Sequence, residues 1–430
     1  MLRLVCAGAV AMCMIVPRVG VLIACIVALA YLLVRNWSDL TSGRRFLSKL
    51  AQPTPILISI AAFIGWVFVA CLWAADPMEA LEKAAILAVV VGASLVVILQ
   101  LEGLSDDAVV QLAQGVLIGF LIGGFYTAFE TVSQEGLTRF TLTYLPFLEQ
   151  SGGKHVTVEN GTAVRMSGAH MTRVSFEFAL LLCPAILAAL ATTRGALRLA
   201  CLATIAAFSA VVILWSRSQT AQLVVLLTFV VLAFALYFRN FTRFAIAAGF
   251  AVIVLFIVPI ALSLFAAEVH KDPDLFRSAR ARVIIWDYTS KRVLEHPILG
   301  VGTYSTRFIH EARIAKEPTW EGDLIVRPET RDHPHNVYLQ IWYELGVVGA
   351  LLFGWMGLMI LRATKDAAIS VQPFLLTQFA MTGALIGPTY GMWQSWFQFS
   401  IAAATIALTI CAACKARVRV SSEQVTVARA

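Results

Sequence analysis

The sequence predicts an all-α polytopic membrane protein, and three observations carry that prediction. Of 430 residues, 59% are hydrophobic and only 14% charged, against about a half and about a quarter in soluble globular chains. Nearly uncharged runs of roughly 18 residues or more recur along the chain, each long enough to cross a bilayer as a helix. The formal net charge of +7 sits largely in short turns between those runs, so it needs no nucleic-acid partner.

About twelve spans follow in order: 2–16, 19–34, 55–74, 83–100, 109–131, 173–192, 197–215, 219–238, 243–266, 336–361, 372–391 and 394–414. Pro17 and Arg18 divide the first two. The first apolar run leads directly into further spans, so no cleavable signal peptide is expected. With the N-terminus inside, alternate loops collect the basic residues: Arg35, Arg44, Arg45 and Lys49; Arg194 and Arg198; Arg239 and Arg243; Arg362 and Lys365; and Lys415, Arg417 and Arg419. That is the positive-inside pattern. It places both termini inside and the two long loops, 132–172 and 267–335, outside. The chain thus divides into spans one to nine (1–266), an outer loop domain (267–335), spans ten to twelve (336–414) and an inner tail (415–430).

The loop 267–335 holds eleven Lys/Arg and eleven Asp/Glu, a balance that suits a small folded cap. Its segment 277–294 reads as an amphipathic helix, followed by the turn His296–Ser305 and a second short helix near 305–316. All seven histidines fall in the two outer loops. The eight cysteines lie within or beside apolar runs, so no disulfide framework is expected, and Cys411 and Cys414 read as small apolar residues.

Arg217 occupies a turn of few residues between two spans, at the outer membrane edge. A charge held there marks a functional candidate unless it snorkels to lipid headgroups. Arg277, Arg280 and Arg282 cluster at the start of the loop helix, where Arg282 and Trp286 share a face. A solvated charged face is the ordinary reading of each arginine. Together with Arg217 they make a diphosphate clamp, because a guanidinium fork matches phosphate oxygens.

The stretch 327–349 passes from a polar segment into an apolar helix. Pro334 suits a first helical turn, with Asp332 or His333 as cap and His335 and Asn336 inside that turn at the water boundary. A helix start attracts anions and disfavours a protonated ring. The reading is a neutral imidazole beside an anion site, or two interfacial histidines with no task. No metal-ligand pair is recognisable, Asp272-Pro273-Asp274 being a weak match. Mid-span carboxylates or lysines of an ion-coupled carrier are missing, and Gly300-Val301-Gly302 lacks the third glycine of a nucleotide loop.

These residues resemble one family. The run from Asp332-His333-Pro334-His335-Asn336 through Gln340, Glu344-Leu345-Gly346 and Gly349 is similar to the signature of the O-antigen ligase and polymerase superfamily. Arg282 to Trp286, His296-Pro297-Ile298-Leu299-Gly300-Val301-Gly302, Ser216-Arg217-Ser218 and Arg165-Met166-Ser167-Gly168 match its lesser blocks. The resemblance covers about 160–350. It implies a GT-C-like fold with a large helical periplasmic loop between spans nine and ten. It also implies an inverting, metal-independent and cofactor-free glycosyltransferase of the bacterial inner membrane. Such an enzyme, an O-antigen ligase, moves O-antigen from an undecaprenyl diphosphate donor to a lipid A-core acceptor. The resemblance maps the catalytic histidine to His335 and the essential arginines to Arg217 and Arg282, with His333 as a second histidine nearby. Arg165, Arg277, Arg280, His333, Asn336, Tyr338 and Trp286 are expected to bind substrate.

From the residues upward, a neutral histidine suits an acceptor hydroxyl, and arginines suit a diphosphate leaving group. Trp286, Tyr304, Tyr338 and Trp342 offer faces for sugar stacking or for packing. The rival readings are an O-antigen polymerase or a protein O-oligosaccharyltransferase, which share the donor. A lipid-linked oligosaccharide flippase would instead line a mid-membrane cavity with charge.

Overall fold

The structure, a computed structural model, describes residues 1–18, 54–145, 156–159, 162–166, 169–308, 314–318, 324–328 and 333–427. Its helices are α1 (Leu2–Ile15), α2 (Pro55–Ala70), α3 (Pro77–Leu101), α4 (Asp106–Val132), α5 (Gly136–Tyr144), α6 (Ala169–Thr192) and α7 (Gly195–Trp215). They continue with α8 (Gln219–Tyr237), α9 (Arg239–Ala266), α10 (Arg277–Val293), α11 (Val337–Ala363), α12 (Gln372–Ile386) and α13 (Ser395–Val427). Among the described residues, nine of these are long and apolar enough to cross a membrane: α2, α3, α4, α6, α7, α8, α9, α11 and α13. The chain is a helical polytopic membrane protein.

Local chemistry explains where the spans begin. The side chains of Thr54, Asp76, Ser105 and Ser218 each accept a hydrogen bond from a backbone N–H two or three residues on, which satisfies amides the helix leaves over. Proline follows the cap at Pro55 and Pro77, where a missing N–H does no harm.

Two expectations about spans and one about the outer loop change, and a further expected span, 19–34, lies outside the described residues. The expected first span is a 14-residue helix, about 21 Å long and short of the roughly 30 Å hydrocarbon core. It lies against α4 along Gly115, Gly119 and Gly123. A Cβ on Gly115 would come within 2.7 Å of the Arg3 carbonyl oxygen, and one on Gly119 within 2.7 Å of Val10 Cβ. The glycine stripe is what lets two backbones approach this closely. The span expected at 372–391 stops at Ile386. Gly387 and Pro388 end it, since proline cannot continue the helical ladder, and a non-helical turn fills 387–394. The short helix expected near 305–316 is instead one 3-10 turn, Ser305–Arg307, followed by strand β3 (Ile314–Pro318). That strand pairs antiparallel with β4 (Leu324–Pro328). Ile325 and Val326 favour the extended form, and Pro318 and Pro328 confine the pairing to an edge-bound hairpin. A second hairpin joins β1 (Val156–Glu159) to β2 (Thr162–Met166).

Helix α6 is buried along almost its whole length and forms the centre of the core. Helix α11 is broken at Gly346, whose φ of 65° and ψ of −168° lie outside the helical region. The segment after α10 lies along that break. Val301 N donates to the Tyr343 carbonyl (3.0 Å), Gly302 N to the Glu344 carbonyl (2.9 Å), and Val347 N to the Pro297 carbonyl (2.9 Å). A Cβ on Gly300 would meet the Gly346 amide nitrogen at 2.7 Å. These glycines therefore serve backbone contact, which accounts for their place in the sequence pattern without any nucleotide.

Candidate active site

The site is built at the start of α11. The helix opens at Val337, and its cap is Asn336, whose side-chain oxygen accepts from Leu339 N at 3.1 Å. His333, Pro334 and His335 therefore precede the helix, and His335 and Asn336 stand outside the first turn expected to contain them. The side chain of Asn336, 2% exposed, is taken up by capping. His335 adopts φ 52°, the left-handed region that an ordinary residue enters only when its surroundings hold it there.

That backbone aims the ring at a carbonyl. His335 Nδ1 lies 2.7 Å from the Thr389 backbone oxygen. A carbonyl only accepts, so Nδ1 carries the hydrogen and the lone pair of the neutral ring sits on Nε2. The His333 ring is 4.3 Å away, centroid to centroid. Burial, and second the neighbouring His335, push the His333 pKa down to about 3. His333 thus stays neutral at any working pH.

The sequence reading missed the partner of this histidine, the turn 387–394. Its Tyr390 ring packs edge-on against Trp396 at 4.6 Å and Phe176 at 5.8 Å. Burial pushes the Tyr390 phenol up to about 12, while the positive charges of Arg173, Arg18 and Arg282 pull it back. Three arginines from distant parts of the chain thus act on the residue next to the carbonyl that orients His335. Arg173 stands at the start of α6, on the same end of the bundle as Arg217. The argument that picked out Arg217 would have found it. Tyr390 gave no such signal, because its turn hides inside an apparent span.

Of the expected arginines, Arg282 belongs to this group. Burial lowers its pKa from the ordinary arginine value and Tyr390 opposes that, yet a guanidinium stays charged. One turn on, Trp286 donates its indole N–H to the Pro334 carbonyl at 3.1 Å, so α10 is fastened to the segment that carries both histidines. Arg217 sits exposed on the turn between α7 and α8. Ser216 and Ser218 fold that turn: Ser216 Oγ accepts from Ser218 N at 3.1 Å and shares a 3.0 Å bond with Ser175 Oγ. Burial raises the pKa of Glu135, and the charge of Arg217 is the first to oppose it. The Arg217 charge thus acts on a carboxylate of the first long loop. Ser278, one turn before Arg282, donates to Gln219 at 3.3 Å and ties the two arginine-bearing elements together.

The remaining expected substrate contacts are placed differently. Tyr338 is 3% exposed and donates to the Gly383 carbonyl at 2.9 Å, which is packing and not sugar stacking. Trp342 donates to the Val254 carbonyl at 2.7 Å, and Tyr304 is buried and accepts from Arg307. Arg280 is buried on α10. Arg165 lies on β2 and Arg277 opens α10, with both side chains outside the described ones, as are His155, His310 and Asp332. Among the described residues, no three His, Cys, Asp or Glu side chains are grouped as metal ligands.

One carboxylate holds the arrangement together. Glu344, fully buried on α11, accepts from Tyr304 N (3.0 Å), Thr306 Oγ1 (2.6 Å), Gln340 Nε2 (3.1 Å) and the Trp393 indole. Gln340 Oε1 in turn accepts from Met392 N at 2.9 Å. Glu344 and Gln340 thereby pin the turn whose Thr389 carbonyl orients His335.

The His333 environment has a measurable consequence. Below about pH 6.5 the unfolded chain takes up a proton here that the folded chain refuses, so stability falls as pH drops. Between pH 7.5 and 5.5 the loss from this group is about 1.4 kcal/mol. Thermal unfolding in detergent at the two pH values should show a smaller loss for His333→Gln than for the unsubstituted protein. Equal losses would contradict the assignment.

Residues 202–354 match the family model described as O-antigen ligase. That stretch of the chain is similar to O-antigen ligase domains. The matched range contains Arg217, Arg282, Trp286, both site histidines and Glu344, and stops before the Thr389 turn. A Rickettsia conorii protein named "Putative polysaccharide ligase" is 31% identical over 126 residues, 28% of this chain and 29% of its own length. Its namesake in Rickettsia prowazekii is 31% identical over 126 residues, 29% and 30% of the two chains. The chain thus spans about three-tenths of the length of the relatives it matches.

Proposed function

We propose that this chain is an O-antigen ligase of the bacterial inner membrane. It transfers O-antigen polysaccharide from undecaprenyl diphosphate to the outer core of lipid A-core. The observation that carries the reading is His335, held by Thr389 in the tautomer whose Nε2 can accept a proton, on a segment fastened through Trp286 to the helix that bears Arg282 and within the range that matches the O-antigen ligase family model.

The reaction is one inverting displacement. His335 Nε2 takes the proton of an acceptor hydroxyl, whose oxygen attacks the anomeric carbon from the face opposite the diphosphate. The bond from that carbon to the diphosphate oxygen breaks, and undecaprenyl diphosphate departs with the electron pair. Arg282 and Arg217 meet the developing negative charge, aided by the Arg173 and Arg18 charges, so the reading needs no metal. The basic inner loops support an orientation with both termini cytoplasmic and with His335, the 132–172 loop and the 267–335 loop domain periplasmic.

Purified full-length protein given lipid-linked donor and three separate acceptors tests this reading. Product is expected with lipid A-core. Product only with a second lipid-linked chain would make the protein a polymerase, and product only with a pilin-like peptide an O-oligosaccharyltransferase. A flippase would give product with none. Arg282→Lys and Arg217→Lys should each lower kcat about tenfold or more, since a point charge does not replace a fork. Unchanged kcat in both would remove the clamp.

A further inference from the structure

We propose that the end of the bundle remote from His335 carries a binding site for the phosphate headgroup of an anionic phospholipid. This inference does not depend on the reaction proposed above. The cleft lies where α9 begins and α11 ends, about 40 Å along a 27-residue helix from the histidines. Its volume is about 400 Å³, and it is lined by Asn240, Arg243, Phe244, Leu358, Arg362 and Lys365 among others.

Arg243 is the unusual residue. It is 7% exposed, yet every acceptor it meets is neutral. Its Nε donates to Thr364 Oγ1 at 3.2 Å, and its terminal nitrogens to Asn240 Oδ1 at 3.1 Å and Gln372 Oε1 at 2.8 Å. A buried guanidinium is ordinarily matched by a carboxylate. Here three elements grip the fork and leave its charge uncompensated.

The neighbours add positive charge. Arg362 and Lys365 are exposed at the close of α11, and Arg239 lies one turn before Arg243 on α9. Among the described residues, none of these four forms an ion pair, and the one adjacent acid, Asp366, is exposed and forms none either. The positive end of the α9 dipole points the same way. An anion is what this charge set lacks.

The apolar wall identifies which anion. Phe244 is 70% exposed beside the arginines, and Leu358 continues the apolar surface along a membrane-spanning helix. A free anion gains nothing from that wall, whereas a phospholipid places its phosphate on the cations and an acyl chain along the helix. Spanning helices end at the depth of lipid phosphates, and basic pockets at such ends suit acidic headgroups.

The test uses full-length protein in detergent, with phosphatidylglycerol, phosphatidylcholine and inorganic phosphate added separately. Native mass spectrometry reads retained lipid, and thermal unfolding reads stabilisation. Phosphatidylglycerol should be retained at least tenfold better than phosphatidylcholine. The Arg362→Gln/Lys365→Gln protein should lose about tenfold in that affinity while keeping its lipid-free melting temperature. Should the double variant fail to fold, each single variant is expected to show a partial loss. Equal retention of the two lipids, unchanged binding in the variants, or stabilisation by inorganic phosphate equal to that by phosphatidylglycerol would each overturn the proposal.

Discussion

His335→Asn is expected to lower transfer by a factor of about 10² to 10⁴, the usual contribution of a general base, in a protein that still folds and inserts. Asparagine is the informative replacement because it tolerates the left-handed backbone that His335 occupies. It can also donate to the Thr389 carbonyl, so the geometry survives while the proton acceptor does not. Alanine removes both. Comparing the two variants separates loss of the base from loss of the local fold. His333→Gln serves as the opposite control: its ring is a neutral neighbour, so transfer should persist within a few-fold. Transfer by His335→Asn within a few-fold of the unsubstituted rate would remove His335 as the base. Loss in His333→Gln alone would move the role to His333.

Glu344→Ala should be the most destabilising single change in the site region, at no less than about 3 kcal/mol. Its two oxygens gather donors from Tyr304, Thr306, Gln340 and Trp393 in a fully buried position. Removing them strands several buried donors, each worth about 1–3 kcal/mol. Glu344→Gln keeps one acceptor oxygen and should lose about half as much. Because Trp393 and Met392 lie on the turn that carries Thr389, kcat should fall even in the milder variant. Melting temperature and transfer rate, measured side by side in detergent, check both effects. A melting temperature within about 1 °C of the unsubstituted protein for Glu344→Ala would show that the network does not hold the turn.

The sequence by itself determined the membrane class and most of the long spans, and it singled out the candidate arginines and histidines. Each of these is a local property. Apolar length sets a span, capping residues and prolines set its start, and spacing puts Arg282 and Trp286 on one face. Where the sequence reading failed, the deciding contact was remote. Pro334 looked like a first helical turn, but α11 starts after Asn336, and it is the distant Thr389 carbonyl that His335 meets from its left-handed backbone. The apparent span at 372–391 hid a turn that offers Thr389 to His335, 54 residues away. Arg18, Arg173 and Arg282 are equally scattered, and only helix packing brings their charges to Tyr390. Tyr338 and Trp286 looked like sugar platforms because aromatic rings read alike in sequence, while the fold gives both of them backbone carbonyls to bind. The candidate histidine stood out in the sequence pattern; its tautomer, its orienting carbonyl and the turn that supplies that carbonyl did not, because those are properties of distance in space and not of order along the chain.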